Sequence, residues 1–333
     1  MKFFVNFVEL FIELLIMRKI GLLFFFSFVS VGFFKAQETL PIYQQYLLEG
    51  DFLFNPALYG KTDKVVVNLN YQKQFSNFDE SPNVQSIGMH ANVVDRLGAG
   101  VSFFRDQNGP ISANGISVGA SYFIPIDDDG ERKNQFSFGT NVNFYNMNVD
   151  WAMLNPEDPG DPNLYNENGI FMLYSNIGMA ATYHNFFAGV SVIDIPLSND
   201  VTIVNGIEPQ PTKYLINAGY DWYFGDDFYV TPSVLMNLNT NSSRMLDMNL
   251  MATAKSDENS FSGGISMRSV KNRFGNQNLS FSPVIKATVG NFFFGGTYNF
   301  GMSDIQEQAG NSFMLSVGLN FDNFINTRGF RDR

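Results

Sequence analysis

One signal recurs along most of the chain, an alternation of apolar and polar positions with a period of two. Val65, Val67, Leu69 and Tyr71 alternate with Val66, Asn68, Asn70 and Gln72. Phe136, Phe138, Thr140, Val142 and Phe144 alternate with Ser137, Gly139, Asn141 and Asn143. The runs Tyr214 to Phe224 and Phe313 to Phe321 behave in the same way. Such a period puts the two sets on opposite faces of a β-strand, one apolar and one made mostly of Asn, Ser, Gly, Thr and Gln. A soluble sandwich would bury the apolar face, whereas a membrane barrel turns it to lipid and lines its lumen with the polar set. Segment length separates the two. Soluble strands run about 5–6 residues, a tilted membrane strand needs about 9–11, and most segments here reach or exceed the membrane length. Aromatics such as Tyr122, Phe123, Tyr183, Phe224, Phe228 and Phe300 sit near the segment ends, where the two interfacial girdles of a membrane barrel fall.

Fourteen segments are predicted, at about 63–75, 82–94, 97–107, 112–124, 135–147, 174–183, 185–194, 213–225, 227–240, 244–255, 259–270, 279–289, 291–301 and 312–321. An even count suits an antiparallel bacterial barrel. Connections after even segments are short, with Asp95-Arg96, His184 and Gly290-Asn291 among them; the one through Asp127–Gly130 is longer. Those after odd segments, including 148–173, 195–212, 271–278 and 302–311, are mostly longer. Short periplasmic turns and long external loops are the rule for such barrels, so both termini are expected in the periplasm. The fold class is therefore all-β, a fourteen-stranded antiparallel transmembrane β-barrel over 63–321, with a periplasmic tail at 322–333.

The N-terminus departs from this pattern. Arg18-Lys19 precede the apolar run Ile20 to Phe34, and Lys35-Ala36-Gln37 follow it. A basic n-region, an apolar core and a small residue before the break describe a secretory signal peptide over 1–36, with Met17 as the natural start. Residues 37–62 do not alternate. A stretch ahead of the first strand, starting in the periplasm, can fold into the lumen, and a fourteen-stranded barrel is too wide for its own side chains to fill. A plug or hatch over 37–62 is expected, as in long-chain fatty-acid transporter barrels, which are similar in strand number.

Composition narrows the function. Of 333 residues none is Cys and two are His, which removes thiol chemistry and leaves little for a metal site or a triad. The formal net charge of −11 argues against nucleic acid as a partner. Charged residues make up 16%, against roughly 25% in ordinary soluble domains, while Phe alone counts 36. His90 shares a polar face with Ser86, Gly88 and Asn92, and His184 falls in a turn; neither has a GxSxG or HExxH frame. No enzyme and no cofactor are expected. The loop 148–173 holds Asp150, Glu157, Asp158, Asp161 and Glu167 with no Lys or Arg. EF-hand spacing is absent, so a solvated acidic loop is expected rather than a metal site. Trp151 and Tyr165 make the same loop a candidate partner-contact surface, together with Glu157, Asp158 and Asp161.

Gln44-Gln45-Tyr46 and Asn55-Pro56-Ala57-Leu58-Tyr59-Gly60 resemble the opening of the PorP/SprF family of type IX secretion outer-membrane proteins. Tyr71-Gln72-Lys73-Gln74-Phe75 with Pro82, Gly98-Ala99-Gly100 with Asp106 and Gly109-Pro110, Leu246–Asn249 and Gly264–Arg268 are similar to later elements of that family, in order and at matching spacing. Lys73 and Phe75 stand where the family favours Arg and Trp, and Ser312-Phe313 where it often has His-Glu. The resemblance implies an outer-membrane component that helps secrete or hold an adhesin-like surface protein, as in gliding motility. Other secretion components and outer-membrane lipid would be its partners. A channel or transporter for hydrophobic or small polar solutes is the alternative from another class.

Overall fold

The computed structural model describes residues 44–77, 81–128, 133–150, 170–197, 211–240, 244–256, 258–272, 275–302 and 310–325. The expected signal peptide and, of the loop after the fifth strand, Trp151, Glu157, Asp158, Asp161, Tyr165 and Glu167 lie outside them.

Fourteen antiparallel strands close into one barrel. They are β1 (Lys64–Lys73), β2 (Asn83–Val94), β3 (Leu97–Asn108), β4 (Ile111–Asp128), β5 (Lys133–Val149), β6 (Ile170–Tyr183) and β7 (Phe186–Pro196). There follow β8 (Lys213–Tyr220, resuming at Trp222–Tyr223), β9 (Phe228–Asn239), β10 (Arg244–Ser256), β11 (Asn259–Asn272), β12 (Gly275–Val289), β13 (Phe292–Gly301) and β14 (Ser312–Asp322). Each strand pairs with its neighbours in sequence, and β1 pairs with β14 from Lys64↔Asp322 to Lys73↔Phe313, so no edge is left open. Closure gives every strand a partner on both sides, which is the condition for spanning lipid with strands.

Facing follows the sequence pattern. Leu69, Phe138, Phe144, Ile216 and Val317 are exposed on the outer wall. Asn68, Asn70, Gln72, Ser137 and Asn141 are buried on the inner one. The apolar surface thus points away from the barrel axis, inverting a soluble protein, as a lipid-facing wall must.

Four local features differ from expectation, the first being that β6 starts at Ile170 rather than 174, so Ile170 to Leu173 belong to the strand and not to the loop after β5. β4 and β5 run on to Asp128 and from Lys133, because pairing continues past a bulge between Pro125 and Asp127 through positions expected to form a turn. The connection after β11, expected to be long over 271–278, shrinks to two residues, because polar Asn276, Gln277 and Asn278 keep pairing with β11 beyond a bulge. β8 is broken at Asp221, opposite Thr231 and Pro232 of β9. Proline has no N–H to give a ladder, and the Thr231 hydroxyl donates instead to the Asp221 carboxylate at 2.7 Å. Pro283 of β12 likewise faces a gap in the β12–β13 ladder.

Candidate functional site: the segment inside the barrel

Residues 44–62 lie against the inner wall as three short 3-10 turns, Gln44–Leu47, Asp51–Leu53 and Pro56–Leu58, joined by tight bends. The last turn shows why Asn, Pro, Ala and Gly occur at this spacing. Asn55 caps it, its side-chain oxygen accepting from the Ala57 N–H at 3.0 Å, and Pro56 takes the first position, where no donor is needed. The other end of the Asn55 amide donates to the Met179 carbonyl of β6 at 3.1 Å. Ala57 is fully buried. Gly60 sits at φ +67, a left-handed turn that side chains disfavour, and its N–H donates to His90 Nδ1 at 3.0 Å.

The wall answers the segment's free carbonyls. Asn68 donates to Leu48 O at 2.9 Å, Ser191 to Phe54 O at 2.8 Å and Ser121 to Tyr59 O at 2.6 Å. Irregular backbone at membrane depth survives only where protein supplies such partners. Apolar contacts tie down the same residues: Leu48 packs on Met251, Val284 and Met314, and Phe54 on Ile193, Leu215 and Leu235. Phe52 meets the His90 ring edge-on at 4.6 Å. Close approach requires glycine at two wall positions, because a Cβ at Gly98 would fall on the Tyr59 carbonyl and one at Gly100 on its ring.

Charge completes the lock. Asp247 of β10 receives two bonds from Arg268 of β11, at 2.8 and 2.7 Å, and a third from the Tyr46 hydroxyl at 2.9 Å. This bidentate geometry with every oxygen engaged offsets the cost of burying both ions. Burial and the adjacent Asp247 carboxylate push the Tyr46 hydroxyl well above its ordinary pKa, so it stays a donor. Lys286 of β12 holds Glu49 at 2.7 Å, and Lys61 pairs with Asp51 within the segment. The Lys286 ammonium pulls the Glu49 carboxyl down from 4.5 to about 2, against the upward push of burial.

Gln44, Gln45, Tyr46, Asn55, Pro56, Ala57 and Gly60 thus come together as one luminal unit that touches β2, β6, β10 and β12 directly. Gln44 donates to Ser282 at 3.5 Å, and the Gln45 carbonyl accepts from Leu48 and Gly50, each at 2.9 Å. Sequence reasoning missed their partners. Asp247 and Arg268 stood out only as members of the family-like elements Leu246–Asn249 and Gly264–Arg268, Glu49 and Lys286 carried no mark, and neither pairing was legible. A second unmarked feature is the luminal cluster of Phe104, Tyr145, Met172 and Tyr174, whose cavity reaches Phe54 of the segment and Asp194. Among the described residues, no three His, Asp or Glu side chains converge as metal ligands do.

The barrel is similar in outline to the CymD monoaromatic hydrocarbon channel, at 10% identity and TM-score 0.49, covering 85% of this chain and 93% of that one. The Ralstonia pickettii toluene transporter TbuX compares at 9% identity and TM-score 0.45, covering 84% and 94%. No curated protein matches the chain. The family model for the type IX secretion system membrane protein PorP/SprF matches residues 35–319, strands and luminal segment alike, and the chain belongs to that family.

Proposed function

We propose that this protein is an outer-membrane component of type IX secretion that helps secrete, and then holds at the cell surface, a cognate adhesin-like protein of the gliding-motility type. It is exported by the signal peptide at 1–36, with 37–62 as the luminal plug, 63–321 as the barrel and 322–333 as a periplasmic tail. Two-residue turns after β2, β6 and β12 support a periplasmic rim at that end. The long connections 150–169 after β5 and 197–212 after β7 support an external opposite rim, where β3–β4 and β11–β12 are nonetheless joined by two residues each. The observation that carries this reading is the occupied lumen. A segment bound by ion pairs and backbone hydrogen bonds to strands around the barrel favours a fixed platform over an open conduit. The working surface of a platform is then its external loops. The loop after β5 offers Trp151 and Tyr165 as contact anchors and Glu157, Asp158 and Asp161 to steer a basic partner surface.

Replacing 155–168 by a short Gly/Ser linker tests this. The expected outcome is normal barrel assembly with the surface protein released into the medium. Full retention, with the variant present in the outer membrane, would reduce the loop to a shield over the barrel mouth. The channel reading draws on the aromatic luminal cavity around Tyr145 and Tyr174. Saturable solute uptake lost on deletion of the protein, with surface adhesins unaffected, would decide for it.

A further inference from the structure

The outer wall carries a polar band where an uninterrupted lipid face was expected. Tyr71 pairs with Gln85, Gln85 with Arg105, Arg105 with Asn114 and Asn114 with Asn146, a continuous row across β1 to β5. These positions point outward, because the residues between them (Asn70, Ser86 and Tyr145) are buried inside. Two residues further along each strand comes a second outward row, Lys73, Asn83, Gln107 and Ser112. In the opposite direction the outward row is wholly apolar: Leu69, Ile87, Phe103, Ile116 and Phe144. A groove on the outer surface straddles the boundary, with Arg105, Gln85, Asn114 and Asn146 at its polar end and the apolar row as its floor.

The same end of the barrel carries a second outward basic pair on its other side, Arg244 of β10 opposite Lys271 of β11, next to Asn276 of β12. The strands' outward charges at this end are all basic, among the described residues, although the chain as a whole is at −11. Within the strands, Asp194 and Asp247 at this end turn inward, while Asp150, just past the end of β5 beside the Gly109-Pro110 turn, is the exposed acid at this rim among the described residues. At the opposite end acids dominate, with Asp95, Asp226, Asp227 and Glu258 in or beside the turns. Among the described residues no carboxylate lies within ion-pair distance of Arg105 or Lys73; Arg105 donates only to its neighbour Gln107, at 3.4 Å.

We propose that this rim binds the phosphorylated headgroups of lipid in the outer leaflet. Arg105 and Lys73 form one site over the β1–β5 groove, and Arg244 and Lys271 a second. The inference rests on the orientation given above, which makes this rim the extracellular one. An Arg guanidinium presents a planar fork that matches phosphate, and the surrounding amides suit the remaining headgroup oxygens and hydroxyls. The apolar row one step deeper is placed to take the acyl chains of the same molecule. Lone snorkelling cations would account for single positive charges at a membrane boundary, but not for their pairing with amide rows and a groove.

The test uses the full-length protein purified in a neutral detergent and titrated with bis-phosphorylated lipid A or its dephosphorylated form, with bound lipid counted by native mass spectrometry. The wild type is expected to retain the phosphorylated form at least about fivefold better, a preference set by the fork–phosphate contacts. The Arg105→Gln, Lys73→Gln double variant, with its folded state verified by heat-modifiable gel mobility, should lose most of that preference. Equal retention of both lipids by the wild type, or an unchanged preference in the double variant, overturns the proposal. Since the chain has no Cys, Asn108→Cys at the adjacent turn gives a clean label for orientation. Reaction with a membrane-impermeant maleimide on intact cells is expected. Absence of labelling would overturn the orientation and with it the outer-leaflet assignment. Labelling combined with unchanged lipid preference would overturn the phosphate contacts alone.

Discussion

At the scale of single residues, a one-position step along a strand changes the solvent. Val118 is 51% exposed on the lipid face of β4, while the next residue back, Ser117, is 6% exposed and looks into the lumen beside its partner Asn143. Arg on the lipid face near the bilayer midplane costs about 2–4 kcal/mol, whereas luminal positions with room and water tolerate it. Val118→Arg should therefore lower folding stability in lipid vesicles by roughly 2 kcal/mol or more, and Asn143→Arg by much less. Equal losses would mean that the register is wrong. Not every luminal position is so permissive. Ser316 is also inward, but it is 1% exposed, and its hydroxyl bonds the Leu48 carbonyl at 3.3 Å. A large side chain there would collide with the luminal segment. Alternation in the sequence told lumen from lipid for both serines. It could not tell an open lumen from a filled one, because the filling comes from residues far away in the chain.

At the scale of elements, the strands were the legible part. All fourteen fall where the alternation placed them, since each must present a continuous apolar face to lipid and therefore carries its own pattern. The departures occur where that demand lapses. The extensions of β5 and β12 lie at strand ends and use mainly polar residues, that of β4 passes Pro125 and Ile126 at a bulge, and that of β6 runs back through Ile170 to Leu173. The break in β8 answers a proline on the neighbouring strand. The luminal segment has no periodicity to read. Asn55, Pro56 and Gly60 announced turns, but the direction of the chain inside the barrel is fixed by partners such as Asn68, Ser121, Ser191 and Lys286. Glu49 provides a handle on that docking. Its carboxyl titrates near 2 when bound and near 4.5 when free, so docking is favoured fully above pH 4.5. As pH falls from 4.5 towards 2 the bound carboxylate takes up a proton and the gain is lost. The side chain remains 32% exposed, which reduces the gain to roughly 1 kcal/mol once screening is allowed for. Protease protection of residues 44–62 should therefore weaken between pH 4.5 and 2 in the wild type, and Glu49→Gln should flatten that part of the profile. An unchanged profile would remove Glu49 as a docking contact.

At the scale of the whole molecule, closure and filling act together. A fourteen-stranded ring lies between small barrels packed solid by their own side chains and the sixteen-stranded porins that hold an aqueous channel. Here Leu48, Phe52, Ala57 and Tyr59 supply the missing interior, each almost fully buried. They do so over a wall whose inward face is mostly Asn, Ser and Gly, interrupted by apolar patches such as Met251, Val284 and Met314 under Leu48 and Ile193, Leu215 and Leu235 under Phe54. The wall's apolar patches take the segment's anchors and its polar lining takes the segment's carbonyls, and removing the segment should leave a wide, wet pore rather than a collapsed core. In planar bilayers the intact protein is expected to show little steady conductance. Deletion of residues 44–60 should raise it by about tenfold or more, towards the behaviour of an open porin-sized barrel. Heat-modifiable gel mobility shows whether the deleted form still closes its barrel, and Lys286→Glu offers a gentler variant that repels Glu49 without shortening the chain. Flickering openings in that variant, with steady ones in the deletion, would identify the ion pair as a latch on the segment. Equal, low conductance in all three forms would mean that the wall itself, narrowed by Tyr145 and Tyr174 on its inner face, blocks the path.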